Sequence, residues 1–452
     1  MLFPSNRNIF AIFHAKIGER YMEFTPTVSQ EQLITFRRDL HRHAESGLSE
    51  FWTTSYLAEK LTVLGCEVHL GDEVMDRSVM MGVPDPKIQE ERLKTALAQG
   101  ADPKWLDKMN GLTGLMVDIR PDLPMHSVLR FDIDCVDINE SHEAAHKPAA
   151  EGFASINKNG CHACAHDGHA AIGLGVAMEL MRYRDKLKHN VRLIFEPAEE
   201  GSRGAFPIVS AGLVRGAKYF LAAHIGVNAQ KDHALVCGTQ GFLATTKFDV
   251  ELFGLASHSG SDPHKGHNSL LAAATIILNL HAIPRHGEGA SRITVGMVTG
   301  GTGRNVIPDY AKLVCETRGA TAEINQYMFN KAKLIINHAA AMYEQEVKIT
   351  IMGSANNAVS DKKMIDVVKM AAKDIPYFYE DLITEMGNGF GTDDACTFVN
   401  AIQEQGGFGT YAQIGSRLSA GHHNQLFDFN ENLLQPAVEL FCRSTFIMDN
   451  MD

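Results

Sequence analysis

Several things are missing from this sequence. No stretch approaches the roughly 18 uninterrupted apolar residues that a membrane-spanning helix needs. The best window, Leu270 to Leu280, is about half a span and carries Thr275 and Asn279. There is no Lys/Arg run, and acids outnumber bases 54 to 42, for a net charge of −12. Phosphate contacts dominate nucleic-acid affinity, so neither a nucleic-acid partner nor a membrane partner is expected. No glycine-rich dinucleotide fingerprint follows a predicted strand. Gly300-Gly301-Thr302-Gly303-Arg304 lacks the Lys-Ser/Thr of a phosphate loop, and no G-x-S-x-G elbow occurs. Repeats and low-complexity linkers are absent. The Phe10-Ala11-Ile12-Phe13 run is cut short by His14 and Lys16, so it does not read as an export signal. The 8 cysteines are scattered and suit thiols or ligands in a cytoplasmic protein better than a disulfide framework. What remains, 45% apolar and 21% charged over 452 residues, is an ordinary globular chain of two or three structural units.

Residues 1–22 read as an extension. Ser29 with Gln32 is a capping signature for a helix whose stripe is Leu33, Phe36 and Leu40. Residues 72–112 read as a helical insertion, with Asp85-Pro86 as a helix start and Gly100 as a stop. From residue 114 strands alternate with helices: strands at 115–117, 128–132, 191–195 and 219–223, helices at 166–187 and 203–213. That rhythm implies a largely parallel sheet with covered faces. After residue 240 the order becomes β-α-β-β-α-β, a ferredoxin-like pattern. Residues 353–452 return to helix–strand alternation. The expected division is 23–239 and 353–452 as one domain, with 240–352 inserted as a second.

The polar residues that can do chemistry fall just past strand ends. Asp132 and Asp134 follow one strand, Glu199 and Glu200 another, and His224 a third. Ligands in open α/β sheets bind outside the carboxyl ends of strands. Cys161-His162-Ala163-Cys164-Ala165-His166-Asp167-Gly168-His169 opens the long helix and offers thiolate and imidazole, good donors for zinc and similar ions. His422-His423 is a further candidate. Each feature alone has a plain structural reading: turn aspartates, a glutamate pair at a helix start, a core histidine, a Cys-x-x-Cys redox pair. Together they point into one crevice.

These residues make the chain recognisable. It resembles the M20 metallopeptidase family, in the amidohydrolase branch that cleaves N-acyl amino acids. The motifs are His41-Arg42-His43-Ala44-Glu45, Arg130 to Asp134, His162 to His169, Pro197 to Gly201, Ala223-His224, Gly300-Gly301 with Asn305 to Pro308, and His423-Asn424 with Phe427. The 72–112 insertion and the strings Ala244 to Phe248, Glu316 to Gly319 and Ala420 to Asn424 narrow the similarity to the A-type subunits of p-aminobenzoyl-glutamate hydrolases.

The resemblance implies an α/β catalytic domain of zinc-peptidase type with an inserted ferredoxin-like lid that also dimerises. It implies two divalent metal ions per subunit, Zn or Mn, held by Cys164, His166, Glu200, His224 and His423. Glu199 would be the general base and Asp134 the carboxylate that orients a ligand. His258 and Asn305 would reach the neighbouring subunit's site. Arg203, Arg304 and Arg318 are candidates for the substrate's carboxylates, with Arg203 or Arg304 selecting a dicarboxylate. The expected reaction releases p-aminobenzoate and glutamate. An aminoacylase or dipeptidase with other substrates, a weakly active partner of a B-type subunit, and a protein that only buffers metal stay open. Four departures from the branch stand out: Glu196 for Gln, Thr392-Asp393-Asp394 for Ser-Glu-Asp, His43-Ala44-Glu45 for His-Pro-Glu, and Ala165 for Gly. None removes an expected ligand.

Overall fold

The structure is a computed structural model that describes residues 24–389 and 391–451. The extension at residues 1–22 lies outside the described residues. The first helix, Gln30–Arg42, begins as its sequence predicts: Ser29 Oγ accepts the Gln32 N–H, and Leu33, Phe36 and Leu40 are buried. Its last turns also bury Arg37 and His41, which no apolar stripe announces.

An eight-stranded sheet runs in the order Val68–Leu70, Leu115–Asp118, Asn190–Glu196, Met125–Asp132, Tyr219–Ile225, Phe408–Ile414, Leu235–Val236, Ile383–Thr384. Only the four central strands form a continuous parallel block. Leu115–Asp118 and Leu235–Val236 run antiparallel to it, so the sheet is less uniformly parallel than the sequence rhythm suggests. The central strands are almost wholly buried, which accounts for their largely apolar composition. His166–Arg182, Leu434–Met448, Lys362–Ala372 and Gln30–Arg42 pack together within one large core that covers one face. Ala205–Ser210 and Ala395–Glu404 cover the other. The helix from His166 stops at Arg182, and a short 3-10 turn, Arg184–Lys186, leads on to Leu187.

The insertion is helical, as Pro86–Ala98 and Pro103–Met109. Asp85 and Asp102 cap these helices through Lys87 N–H and Lys104 N–H, with proline at the first position of each.

A second sheet has four antiparallel strands in the order Ser291–Gly300, Tyr310–Gly319, Ala244–Phe253, Glu346–Ala355. Helices Ser269–His281 and Ala322–Met342 pack on it around a core of their own. The chain order of these elements is β-α-β-β-α-β.

Candidate metal centre and active site

The carboxyl ends of the four parallel strands carry the polar residues. Met125–Asp132 leads into Asp134, Asn190–Glu196 into Glu199 and Glu200, and Tyr219–Ile225 contains His224. Phe408–Ile414 leads, after a loop, to His423. Cys164 and His166 come from the start of the His166–Arg182 helix. Facing donor atoms lie within 4.8 Å of one another in three overlapping sets: Cys164, His166 and His224; Cys164, Glu200 and His423; His166, Glu199 and Glu200. Six side chains from four stretches of the chain thus converge.

Hydrogen bonds fix how they face. His166 Nδ1–H donates to the Asp134 backbone oxygen at 3.0 Å and to its Oδ1 at 3.1 Å. That leaves Nε2 facing the site, buried with no hydrogen-bond partner. His224 Nδ1–H donates to Ile225 O at 2.9 Å, which turns its Nε2 to within 3.5 Å of Cys164 Sγ. Glu200 N–H donates to Asp134 Oδ2 at 3.1 Å, so one carboxylate orients both His166 and the glutamate turn. Glu200 Oε2 lies 3.2 Å from His423 Nε2, while its Oε1 is buried without a partner. Glu199 Oε2 is 3.8 Å from His166 Nε2. Lys247, from the second sheet, donates to Glu200 O at 2.8 Å.

Two histidines of this run, His162 and His169, stay outside these three sets; His162 is buried with neither ring nitrogen hydrogen-bonded, and His169 is held by Asp132. Its Nδ1–H donates to Asp132 at 2.5 Å and its Nε2 accepts the Ile225 N–H at 3.0 Å, so both nitrogens are satisfied. Cys161 stays apart as well: its backbone pairs with Val136, and burial pushes its thiol far above the ordinary range. All 8 cysteines are free, so Cys161 and Cys164 are not a disulfide.

Backbone strain marks the same loops. Ala165, Ala198, Ser202 and His423 adopt φ of +66°, +59°, +55° and +61°, a left-handed region costly for side-chain-bearing residues. The Ala at 165 is one of the departures noted above.

Electrostatics fit a cation. Burial, then Glu200 and Glu199, push the Cys164 thiol well above its ordinary range. Burial, then Asp393, Glu200 and Asp394, hold Glu199 well above the usual carboxyl range. Burial works against charge on His166, but Asp132 and Asp134 outweigh it and raise its pKa to about 10. Glu200 and His224 go the other way: burial works against the Glu200 carboxylate, but His423 and His166 hold it below its usual range, and burial holds His224 well below the ordinary imidazole range. A thiol, three imidazoles and two carboxyls, two of them with orphaned buried donor atoms, make a mixed set suited to zinc or manganese.

The arginines and the distant pair lie elsewhere. Arg203 Nη1 donates to Gly82 O at 2.7 Å, and its guanidinium is wedged between Gly47, Gly82 and Gly201, where a Cβ at any of the three would meet it. Arg318 forms a two-point pair with Glu316. Arg304 is exposed beside Asn305. His258 is exposed too, with Nδ1 accepting the Gly260 and Ser261 N–H groups; it pairs with Val306 across a short ladder that sets it beside Asn305. Neither joins the six convergent side chains.

Sequence reasoning assigned no role to Lys247, Glu50 or Arg130. Glu50 takes the Ala198 N–H at 2.8 Å and so supports the glutamate turn. The signal for Lys247 and Arg130 was their place inside recognisable motifs.

The model of peptidase family M20/M25/M40 matches residues 128–445. The chain belongs to this family. It is 42% identical to the indole-3-acetyl-aspartic acid hydrolase of Enterobacter agglomerans over 410 residues, 90% of this chain and 94% of that one. It is also 42% identical to the A-type subunit of the p-aminobenzoyl-glutamate hydrolase of Escherichia coli (strain K12) over 417 residues, 91% and 95% of the two chains. The crystal structure of an aminobenzoyl-glutamate utilization protein from Klebsiella pneumoniae superposes with a TM-score of 0.77, at 34% identity and 98% coverage of each chain. The chain is therefore an amide-bond hydrolase of the M20 family. Among the described residues, no helix is long and apolar enough to cross a membrane.

Proposed function

We propose that this chain hydrolyses the amide bond of N-acyl acidic amino acids, with p-aminobenzoyl-glutamate as substrate and p-aminobenzoate and glutamate as products. The observation that carries this reading is the convergence of Cys164, His166, Glu199, Glu200, His224 and His423 at the strand ends. Cys164, His166, Glu200, His224 and His423 would hold two divalent ions, Zn or Mn. Bound there, such ions lower the pKa of water toward neutrality and polarise the amide carbonyl. Glu199 takes the proton of the attacking water and delivers it to the leaving nitrogen; general acid–base steps of this kind contribute about 10²–10⁴-fold. Asp134 orients His166 so that its Nε2 faces the site.

Both relatives at 42% identity are named for amides of acidic amino acids. Indole-3-acetyl-aspartate is therefore a second reading within the same chemistry. Arg304, exposed and free of a carboxylate partner among the described residues, would take the side-chain carboxylate. We read 240–352 as the lid and dimerisation unit. Its edge strand Ser291–Gly300 exposes Met297 and Val298, and the Ser269–His281 helix exposes Leu270, Leu271 and Leu278. An unpaired edge beside exposed apolar side chains suits a second copy. In that pairing His258 and Asn305 serve the neighbour's site. A B-type subunit is the alternative partner. Free thiols throughout suit a reducing cytoplasm.

The test is an assay of the purified chain, stripped of metal and re-supplied with Zn²⁺ or Mn²⁺, on p-aminobenzoyl-glutamate, indole-3-acetyl-aspartate and N-acetyl-leucine. Turnover of the first two above the third is expected, with Glu199→Gln keeping metal and losing at least about 10²-fold in rate. Metal uptake without turnover of any of the three overturns the reading. Mixing His258→Ala with Glu199→Ala chains should restore activity in mixed dimers if the site is shared.

A further inference from the structure

A cavity of about 320 Å³, roughly ten water volumes, lies between the insertion helix Pro86–Ala98 and the loop at 157–160. None of its lining residues is among the six convergent side chains. Arg92 reaches it from the helix and Lys158 from the loop. Ser46 adds a hydroxyl, whereas Ser49 Oγ is engaged with Gln89 and Arg92, and the Asn157 amide with Gln99 and Ala44 O. Arg92 Nη1 donates to Ser49 Oγ at 2.9 Å, and neither cation has a carboxylate ion-pair partner among the described residues. The one acid on the wall, Glu45, is already occupied: its two oxygens accept the Trp52 and Thr53 N–H groups, each at 2.9 Å. Arg92 acts on the Glu45 charge through space without a direct ion pair, and Lys158 is exposed on the other wall, so the cavity carries two cations against one carboxyl.

We propose that this cavity is a second, non-catalytic binding site for a small dicarboxylate, with the insertion supplying one of its two cations. Two walls each offer one positive group, which fits two carboxylates at the ends of a short chain. The occupant would lie behind the catalytic loops. Cys135, next to Asp134, donates its N–H to Glu45 O at 2.9 Å. Gly160, which precedes the Cys161–Cys164 run, packs so tightly on Ala44 that a Cβ there would sit 2.6 Å from Ala44 O. Gly47 packs likewise on Ala198, the residue before Glu199. The site stands whatever substrate the catalytic centre cleaves.

The experiment uses the full metal-loaded chain and three probes at millimolar concentration: glutarate, acetate and inorganic phosphate. Hydrogen exchange locates the binding and calorimetry measures it. Glutarate should protect residues 86–99 and 155–160. Arg92→Gln and Lys158→Gln should each weaken that binding about tenfold or more, because each removes charge-assisted hydrogen bonds. Arg92→Lys, which keeps the charge, should retain most of it. Turnover without added dicarboxylate should stay within about twofold of wild type in folded variants, since neither residue touches the catalytic set. Protection confined to the catalytic loops, glutarate affinity unchanged in both Gln variants, or binding of phosphate but not glutarate would each overturn the proposal.

Discussion

Replacing Asp134 by Asn tests how the centre is oriented. The native carboxylate uses separate oxygens for two donors, His166 Nδ1–H at 3.1 Å and the Glu200 N–H at 3.1 Å. An amide keeps the shape but has one acceptor, so its NH₂ must face one of those donors. A hydrogen bond to a charged group is worth about 1.5–3 kcal/mol, and one is lost outright. An opposing effect comes from the neighbours: burial, together with Glu200 and Asp132, pushes the Asp134 pKa up, and removing its charge relieves that repulsion. The two effects oppose each other in the metal-free protein, so its unfolding free energy should change by no more than about 2 kcal/mol. They do not cancel where metal binds. There His166 loses the anionic partner that makes Nε2 a strong donor, and losing such a partner typically costs about 10–100-fold in metal affinity. The assay is a Zn²⁺ titration against a chromophoric chelator, paired with urea unfolding of the stripped protein. A metal Kd within twofold of wild type, with the variant folded, would refute the orienting role of Asp134.

Three further outcomes follow from single contacts. Ala165→Gly should raise stability by about 0.5–1 kcal/mol, the left-handed penalty less the extra backbone entropy of glycine, read from the urea midpoint. Burial opposes charge on His41, but hydrogen bonds to Asp167 and Glu140 raise its pKa to about 9 from 6.5. Its contribution is then complete below pH 6.5 and lost as pH rises through 9, about 3 kcal/mol counted once for the whole cluster; His41→Gln should flatten that slope in urea unfolding. Arg304→Ala should narrow the preference for acyl-glutamate over acyl-leucine, whereas Arg203→Lys, which loosens the wedge beneath the glutamate turn, should lower kcat and leave that ratio unchanged.

The strand ends were legible because alternation of strand and helix fixes where a parallel strand stops. Asp134, Glu199 and His224 therefore read as neighbours before any contact is known. His423 read only as a candidate by residue type: over two hundred residues separate it from Glu200, and its assignment as a ligand came from the family resemblance. Helix Phe51–Val63 was missed because it buries Phe51 to Ser55, Leu57, Ala58 and Leu61, nearly all round, so no stripe of period 3.6 stands out. Two-residue strands such as Leu235–Val236 are too short for a period of two to register. The wedged place of Arg203 depends on glycines at 47, 82 and 201, three segments that sequence proximity does not connect.

Two of the departures from the branch, Glu196 and Asp393, meet on one buried guanidinium. Arg130 is 1% exposed and pairs through Nε with Glu196, through Nη1 with Asp132 at 2.5 Å, and through Nη2 with Asp394 at 3.2 Å and Asp393 at 3.5 Å. Four carboxyls cannot all be ionised around a single cation away from water. They sort by partner. Burial works against Asp132, but Arg130 with His166 and His169 holds it well below the ordinary range, whereas burial holds Glu196 well above it and raises Asp394 to about 7. The same cluster ties the site together: Asp132 orients His169, and Asp394 receives the Gly204 and Ala205 N–H groups just past the glutamate turn. The two ends of this network should therefore respond oppositely. Glu196 must gain a proton on folding at neutral pH, so Glu196→Gln should leave stability at pH 7 unchanged or raised, and the gain should fade as pH falls toward 4.5. Arg130→Met strands Asp132 without a cation and should cost about 3–5 kcal/mol. Urea unfolding of both variants at pH 7 and pH 5 reads the contrast. A Glu196→Gln loss as large as that of Arg130→Met would mean that Glu196 is the ionised partner and that the charges are sorted the other way.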